Sequence, residues 1–209
     1  MPISLISNIY DNFRATYEDN PQFILDFFQK NIIVFNNVKA FIDEEDLHKY
    51  IELSCIYAES LYNKGRYNDT VDSTTISMSI IDKEILRLNA DEIKDDWYYS
   101  ILFLKGMASY SLKDFKTATP IFKELILFDP KNEKYGNWLR HSQQKQRQWI
   151  NTIILIIGTV FILVGAIARF YTKNYIVRQS FPIIGITLLI GYYIFELYSN
   201  RSFRKSSRA

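Results

Sequence analysis

The chain has 209 residues, 48 % of them hydrophobic, with a formal net charge of +2, a length that allows one ordinary domain plus an appendage. The charge is divided: before residue 149 eighteen cationic residues face twenty-two acidic ones, a net of −4, and after it seven face one, a net of +6. The overall value therefore gives no support to nucleic-acid binding, and the single cysteine, Cys55, excludes an intrachain disulfide.

Residues 1–20 carry Asp11, Glu18 and Asp19 and no apolar run, so no cleaved signal peptide is expected there. Apolar residues recur at spacings of three and four through most of residues 3–147, and strict alternation is rare. The periodicity predicts helices at about 3–18, 21–41, 46–63, 67–88, 92–112, 115–128 and 132–148. Asn20-Pro21 sets a capping side chain before a proline at the first helical position. Asp43-Glu44-Glu45-Asp46 places negative charge where a helix macrodipole favours it, and Asp114 and Asp129-Pro130 mark further turns. Helices joined by turns this short lie antiparallel, so the expected fold is all-α, a stack of helical hairpins.

From Trp149 onward the composition changes. Between Ile150 and Ala168 there is no charged residue, and about 20 apolar residues at ~1.5 Å each span a bilayer core. One transmembrane helix is expected at 149–170 and a shorter one at 181–198, with Pro182 in its first turn. Trp149, Phe170, Tyr171, Tyr175, Phe181 and Tyr198 form the aromatic belt expected at headgroup level. The short connector makes the pair an antiparallel hairpin. Lys134, Arg140, Lys145, Arg147, Arg201, Arg204, Lys205 and Arg208 flank one side of it, against Arg169, Lys173 and Arg178 on the other, which puts both termini in the cytoplasm. Gly158, Gly165, Ala166, Gly185 and Gly191 permit close helix approach, within the hairpin or between two copies of it. Glu196 lies near the end of the second span, where it can snorkel to the interface. The domain plan is thus a helical pair at 1–45, a helical domain at 46–148, the hairpin within 149–199, and a basic tail at 200–209 that can also meet anionic headgroups.

A period is visible in the second part of the helical domain. With Ser100 as position two, Gly106 falls on position eight, Phe115 on seventeen, Ala118 on twenty, Phe122 on twenty-four and Pro130 on thirty-two. An earlier copy, counted from Ile51, puts Ala58 on eight, Gly65 on fifteen and Tyr67 on seventeen, then departs at Thr70 and Thr74. The copies start 48 residues apart instead of about 34, with the excess in Ile85–Tyr98, as a lengthened helix or an inserted turn. Residues 46–147 resemble the tetratricopeptide repeat family on these positions. The polar stretch at 140–147 resembles the capping helix of such arrays.

That resemblance implies a concave groove for a protein partner. It would be lined by Glu52, Cys55, Glu59 and Tyr62 in the first copy and by Phe103, Met107 and Tyr110 in the second. The Lys and Asn set with which some family members clamp a peptide carboxylate is not found. An amphipathic helix or an extended segment with apolar anchors is the better match. No phosphate loop, dinucleotide fingerprint or nucleophile elbow occurs, and His48 and His141 have no metal-ligand spacing, so neither an enzyme nor a cofactor is expected. The expected function is a non-catalytic adaptor or scaffold of the bacterial inner membrane, binding a protein at the cytoplasmic face. The alternative is a structural subunit of a larger secretion or transport assembly, held through the hairpin.

Overall fold

The computed structural model describes residues 5–17, 20–38, 40–94, 96–171, 173 and 175–206. Every regular element among them is helical: α1 (Leu5–Thr16), α2 (Pro21–Asn36), α3 (Glu44–Asn63), α4 (Tyr67–Leu88), a 3-10 turn at Asp91–Ile93, α5 (Asp96–Ser111), α6 (Phe115–Phe128), α7 (Glu133–Tyr171) and α8 (Tyr175–Ser206). The chain divides into two compact units, Met1–Gln143 and Gln144–Ala209, and the division falls inside α7.

In the first unit the caps act as the sequence suggests. The Asn20 side chain accepts from the Gln22 amide at 2.9 Å, Asp43 accepts from the Asp46 amide at 2.9 Å, and Asp114 accepts from the Thr117 amide at 3.2 Å. Each satisfies one of the amides that a helix start leaves without a partner. Left-handed residues close the next turns: Gly65 at φ 72° after α3, Asn89 at φ 57° after α4 and Lys113 at φ 64° after α5.

α2 is shorter than the expected 21–41. It stops at Asn36, and the chain then turns to bury Phe41 against Tyr50, ring centroids 5.2 Å apart. The turn is held from α4: Glu84 accepts from the Phe41 amide at 3.3 Å, and Arg87 donates to the Phe41 carbonyl at 2.6 Å. Burying one more aromatic ring and satisfying its backbone in this way outweighs another helical turn.

α3 is the central element. It packs against α1, α2, α4 and α5, and Leu47, Tyr50, Ile51, Leu53, Ala58 and Leu61 are buried along it. α4 lies against α3 and α5, and α5 against α6. The crossings are made by small residues: Ala58, Ala118 and Gly106, where an added Cβ would stand 2.9 Å from the Phe122 ring. The long spacing between the two copies comes from both causes at once. α4 has 22 residues where α6 has 14, and the 3-10 turn follows it with Ala90 and Ile93 buried.

α7 is one continuous helix of 39 residues, roughly 59 Å at ~1.5 Å per residue. The cap-like stretch and the apolar stretch that follows are therefore one element, since no Gly or Pro interrupts 137–157. Within Glu133–Ala168 an apolar stretch reaches a mean hydropathy of 2.6 with 12 % of it buried, and this helix is long and apolar enough to cross a membrane.

α8 begins at Tyr175, earlier than expected, so Pro182 sits inside the helix and not in its first turn. Among the described residues the apolar part of α8 is Gln179–Ile194, shorter than a full crossing, and a second span is not established. The side chains of Trp149, Arg169, Phe170, Tyr175, Arg178, Glu196 and Tyr198, and of the tail, lie outside the described residues.

Within the second unit α7 and α8 pack through their glycines. A Cβ on Gly165 would stand 2.4 Å from Pro182 Cδ, one on Gly185 would stand 2.8 Å from the Gly158 carbonyl, and one on Gly158 would stand 3.0 Å from Leu189. Phe161 stacks on Phe181 at 6.0 Å. Gly158, Gly165 and Gly185 thus pack inside the helix pair, while Gly191 meets nothing within 4 Å.

Candidate partner-binding surface

The residues assigned to the groove do not share one open face. Glu52 and Cys55 are buried in the first unit, Glu59 is exposed, and Tyr62 is half-buried against Tyr67 at 5.3 Å. The cover over Glu52 is α1. Ile6, Ile9 and Phe13, at i, i+3 and i+7, make its buried stripe. Tyr10 and Arg14 stand beside that stripe. The Tyr10 hydroxyl donates to one Glu52 oxygen at 2.8 Å, and Arg14 forms an ion pair with the other. Further along, Ser7 donates to the Asp46 carboxylate at 3.1 Å and Lys49 donates to Ser7 at 3.2 Å. A buried carboxylate is costly unless paired, and here both of its oxygens are answered from one helix.

The second copy is covered from the other side. Phe103 is buried among Phe122 at 6.1 Å, Tyr135 at 5.4 Å and Trp138 at 6.3 Å, with Lys134 Nζ 4.3 Å from its ring centroid. Met107 and Tyr110 stay half-buried, and Tyr110 meets Trp138 edge-on at 5.1 Å and Phe115 at 5.3 Å. Next to this cluster lies an open crevice of about 560 Å³ lined by Tyr110, Glu133, Lys134, Asn137, Trp138 and His141. Tyr110 is thus the predicted groove residue that still borders open space in company with a tryptophan, the residue pairing that protein interfaces favour.

The residues that sequence reasoning passed over are those that do the covering. Tyr135 and Trp138 are spaced i, i+3 just before the polar stretch of α7, and that spacing marks an inward face. Arg14 follows directly on the last residue of the α1 stripe, which was the available sign that α1 docks on something acidic.

Among the described residues no group of three or more His, Cys, Asp or Glu side chains could hold a metal ion. The chain matches no protein-family model, no curated protein and no solved structure. Its function is therefore argued from the geometry alone. Burial raises the Tyr50 phenol to about 12 against the opposing effect of the nearby Ser77 and Ser54 hydroxyls, neither of which meets it in hydrogen-bond geometry. The Tyr98 phenol is raised as well, by burial first and then by the Asp82 carboxylate that accepts its hydrogen bond at 2.9 Å. Both are consequences of core packing and neither borders the crevice.

Proposed function

We propose that this protein is a membrane-anchored, non-catalytic scaffold of tetratricopeptide-like build that holds a protein partner at the cytoplasmic face of a bacterial inner membrane. The single observation that carries the reading is α7. One helix gives Tyr135 and Trp138 to the aromatic cluster of the first unit and then continues into the apolar stretch of mean hydropathy 2.6. A chain built in this way is suited to keeping a protein-binding body at a bilayer. The tetratricopeptide-like build is supported by the pairing of α3 with α4 and α5 with α6. The first helices of the two pairs also touch, and small residues stand at the crossings. The two-helix anchor is supported by the glycine packing of α7 on α8 and by the charge flanking the hairpin.

In this reading the partner meets the Tyr110–Trp138 crevice with an apolar or aromatic anchor on a helix or extended segment. A photoreactive residue at Tyr110, activated in native membranes, tests it. Capture of one soluble protein, abolished when the membranes are washed with salt before irradiation, is the expected result. Crosslinks confined to the chain itself or to a membrane protein would sink it.

A second reading has its own support. The burial of Glu52, Cys55 and Phe103 by the chain's own helices leaves little of the assumed groove, which favours a structural subunit held through the hairpin. A stoichiometric membrane partner that survives detergent purification is its expected signature.

A further inference from the structure

The geometry points to α1 as a removable strap, which occupies the α3 face in cis until the amphipathic helix of a partner takes its place. The proposal goes beyond the scaffold reading, which sets its partner at the Tyr110–Trp138 crevice, and rests on it in one respect, that the first unit is a protein-binding body.

The argument begins from how α1 is held. It has 12 residues, too few to be stable as an isolated helix, and it lies chiefly on α3. Its apolar hold is three core side chains, Ile6, Ile9 and Phe13, the last set among Phe27 and Phe28 of α2 at 5.1 and 5.9 Å. The rest of the seam is polar: Ser7 to Asp46, Lys49 to Ser7, Tyr10 to Glu52 and Arg14 to Glu52. A seam of this kind separates more readily than an apolar one, because water takes up the charges when the halves part. Arg14 already sits half in solvent, with 46 % of its side chain exposed, so the ion pair can open from the rim. The seam of α7 with α5 and α6 is different, made of the rings of Phe103, Tyr110, Phe122, Tyr135 and Trp138, with no ion pair among them to open.

The same contacts state what a replacement must carry. It is a helix with apolar residues at i, i+3 and i+7 that copy Ile6, Ile9 and Phe13, and a basic residue at i+8 for Glu52. An acidic or wholly apolar helix would leave the Glu52 carboxylate buried and unpaired.

The test uses the full chain in nanodiscs and a dye-labelled synthetic peptide of residues 1–17, with a scrambled peptide of the same composition as control. Hydrogen exchange in the unmodified chain should show α1 amides exchanging roughly tenfold or more faster than the central amides of α3 and α5. Exchange of α1 at the core rate overturns the proposal. Arg14→Ala in the chain loosens the strap while leaving the face intact, so this variant should bind the peptide several-fold more tightly than the unmodified chain. A peptide carrying Arg14→Glu should lose that binding. No binding of the peptide by the Arg14→Ala chain, or equal binding of the Arg14→Glu peptide, overturns it as well. None of these readouts uses a cellular partner. If they come out as expected while Tyr110 crosslinking captures no soluble protein, the strap stands and the scaffold reading falls.

Discussion

The contact between Gly165 and Pro182 offers the sharpest test of how the hairpin is packed. An alanine Cβ at position 165 would stand 2.4 Å from Pro182 Cδ, 2.5 Å from Cγ and 3.0 Å from the proline nitrogen. Carbon atoms in ordinary contact sit about 3.5–4.0 Å apart, so α7 and α8 must separate by roughly 1 Å. A pyrrolidine ring has no rotamer by which to escape. Overpacking of this kind costs about 1–3 kcal/mol, and a clash with a ring fixed to the backbone belongs at the upper end. The helix-propensity gain of Gly→Ala returns about 1 kcal/mol, which leaves a net loss of about 2 kcal/mol for Gly165→Ala. Removing the ring should give most of it back, so Gly165→Ala with Pro182→Ala should be far less harmful than the sum of the single changes. The assay is SDS titration in mixed micelles, read by energy transfer between dyes on cysteines introduced at Leu155 and Ile190, both exposed. Cys55 is buried and is not labelled in the folded protein. If Gly165→Ala separates at the same SDS fraction as the unmodified chain, or if the double variant shows the full sum, the two helices do not meet at this point.

Three further outcomes follow from the first unit. Phe122→Ala removes a fully buried ring that stacks on Trp138 at 5.8 Å, and should cost about 3–5 kcal/mol in a denaturation curve followed by tryptophan fluorescence. A loss below about 1 kcal/mol would mean that the α5–α6–α7 cluster is not a packed core. Tyr50→Phe removes a buried hydroxyl with no partner, so it should leave stability at pH 7 unchanged or slightly raised. Its larger effect is at high pH. The folded state holds the Tyr50 phenol neutral up to about 12, so stability is complete below pH ~10 and falls by about 2–3 kcal/mol as pH rises from there toward 12. The phenylalanine variant should therefore unfold at a higher pH than the unmodified chain, and an unchanged alkaline midpoint would count against a buried phenol. Asp43→Ala deletes the acceptor for the Asp46 amide and should cost about 0.5–2 kcal/mol by thermal melting, with Asp43→Asn recovering most of it.

The helix starts were legible because each has a local chemical cause. Asn20 caps α2 as expected, Asp43 and Asp114, read as helix-start charge and a turn, also act as caps, and Tyr67–Leu88 and Phe115–Phe128 run between the expected residues. The misses are places where a distant residue decides. α2 stops early because Glu84 and Arg87, more than forty residues away, hold the Phe41 backbone. Pro182 reads as a first-turn residue, yet it is tolerated inside α8, where Gly165 on the facing helix makes room for its ring. The binding face was the least legible. Apolar spacing marks the buried residues of α3, but only tertiary structure says that α1 lies on it at Glu52.

The chemistry of the two coverings bears on what the first unit is for. Over the second copy, α7 buries aromatic rings against aromatic rings, a seam stabilised by area and shape that leaves no buried charge to be answered. Over the first copy, α1 brings a tyrosine hydroxyl and a guanidinium to Glu52 and a serine to Asp46. Stability alone does not call for this arrangement, since well-packed apolar residues in place of a buried ion pair are commonly neutral or better. What the ionic seam adds is a requirement: only a helix of matching charge pattern can lie on α3 without stranding a carboxylate. The aromatic seam ties the first turns of α7 to α5 and α6 within the first unit, and the ionic seam makes the α3 face selective. A chain that served only as inert packing inside a larger complex would need the first seam but not the second. Glu52 is therefore the residue on which a removable strap and a fixed cover diverge most, and Glu52→Leu separates them. Slower exchange of α1 with peptide binding unchanged would mean a fixed cover, while a stable body that no longer takes the peptide of residues 1–17 would favour the strap.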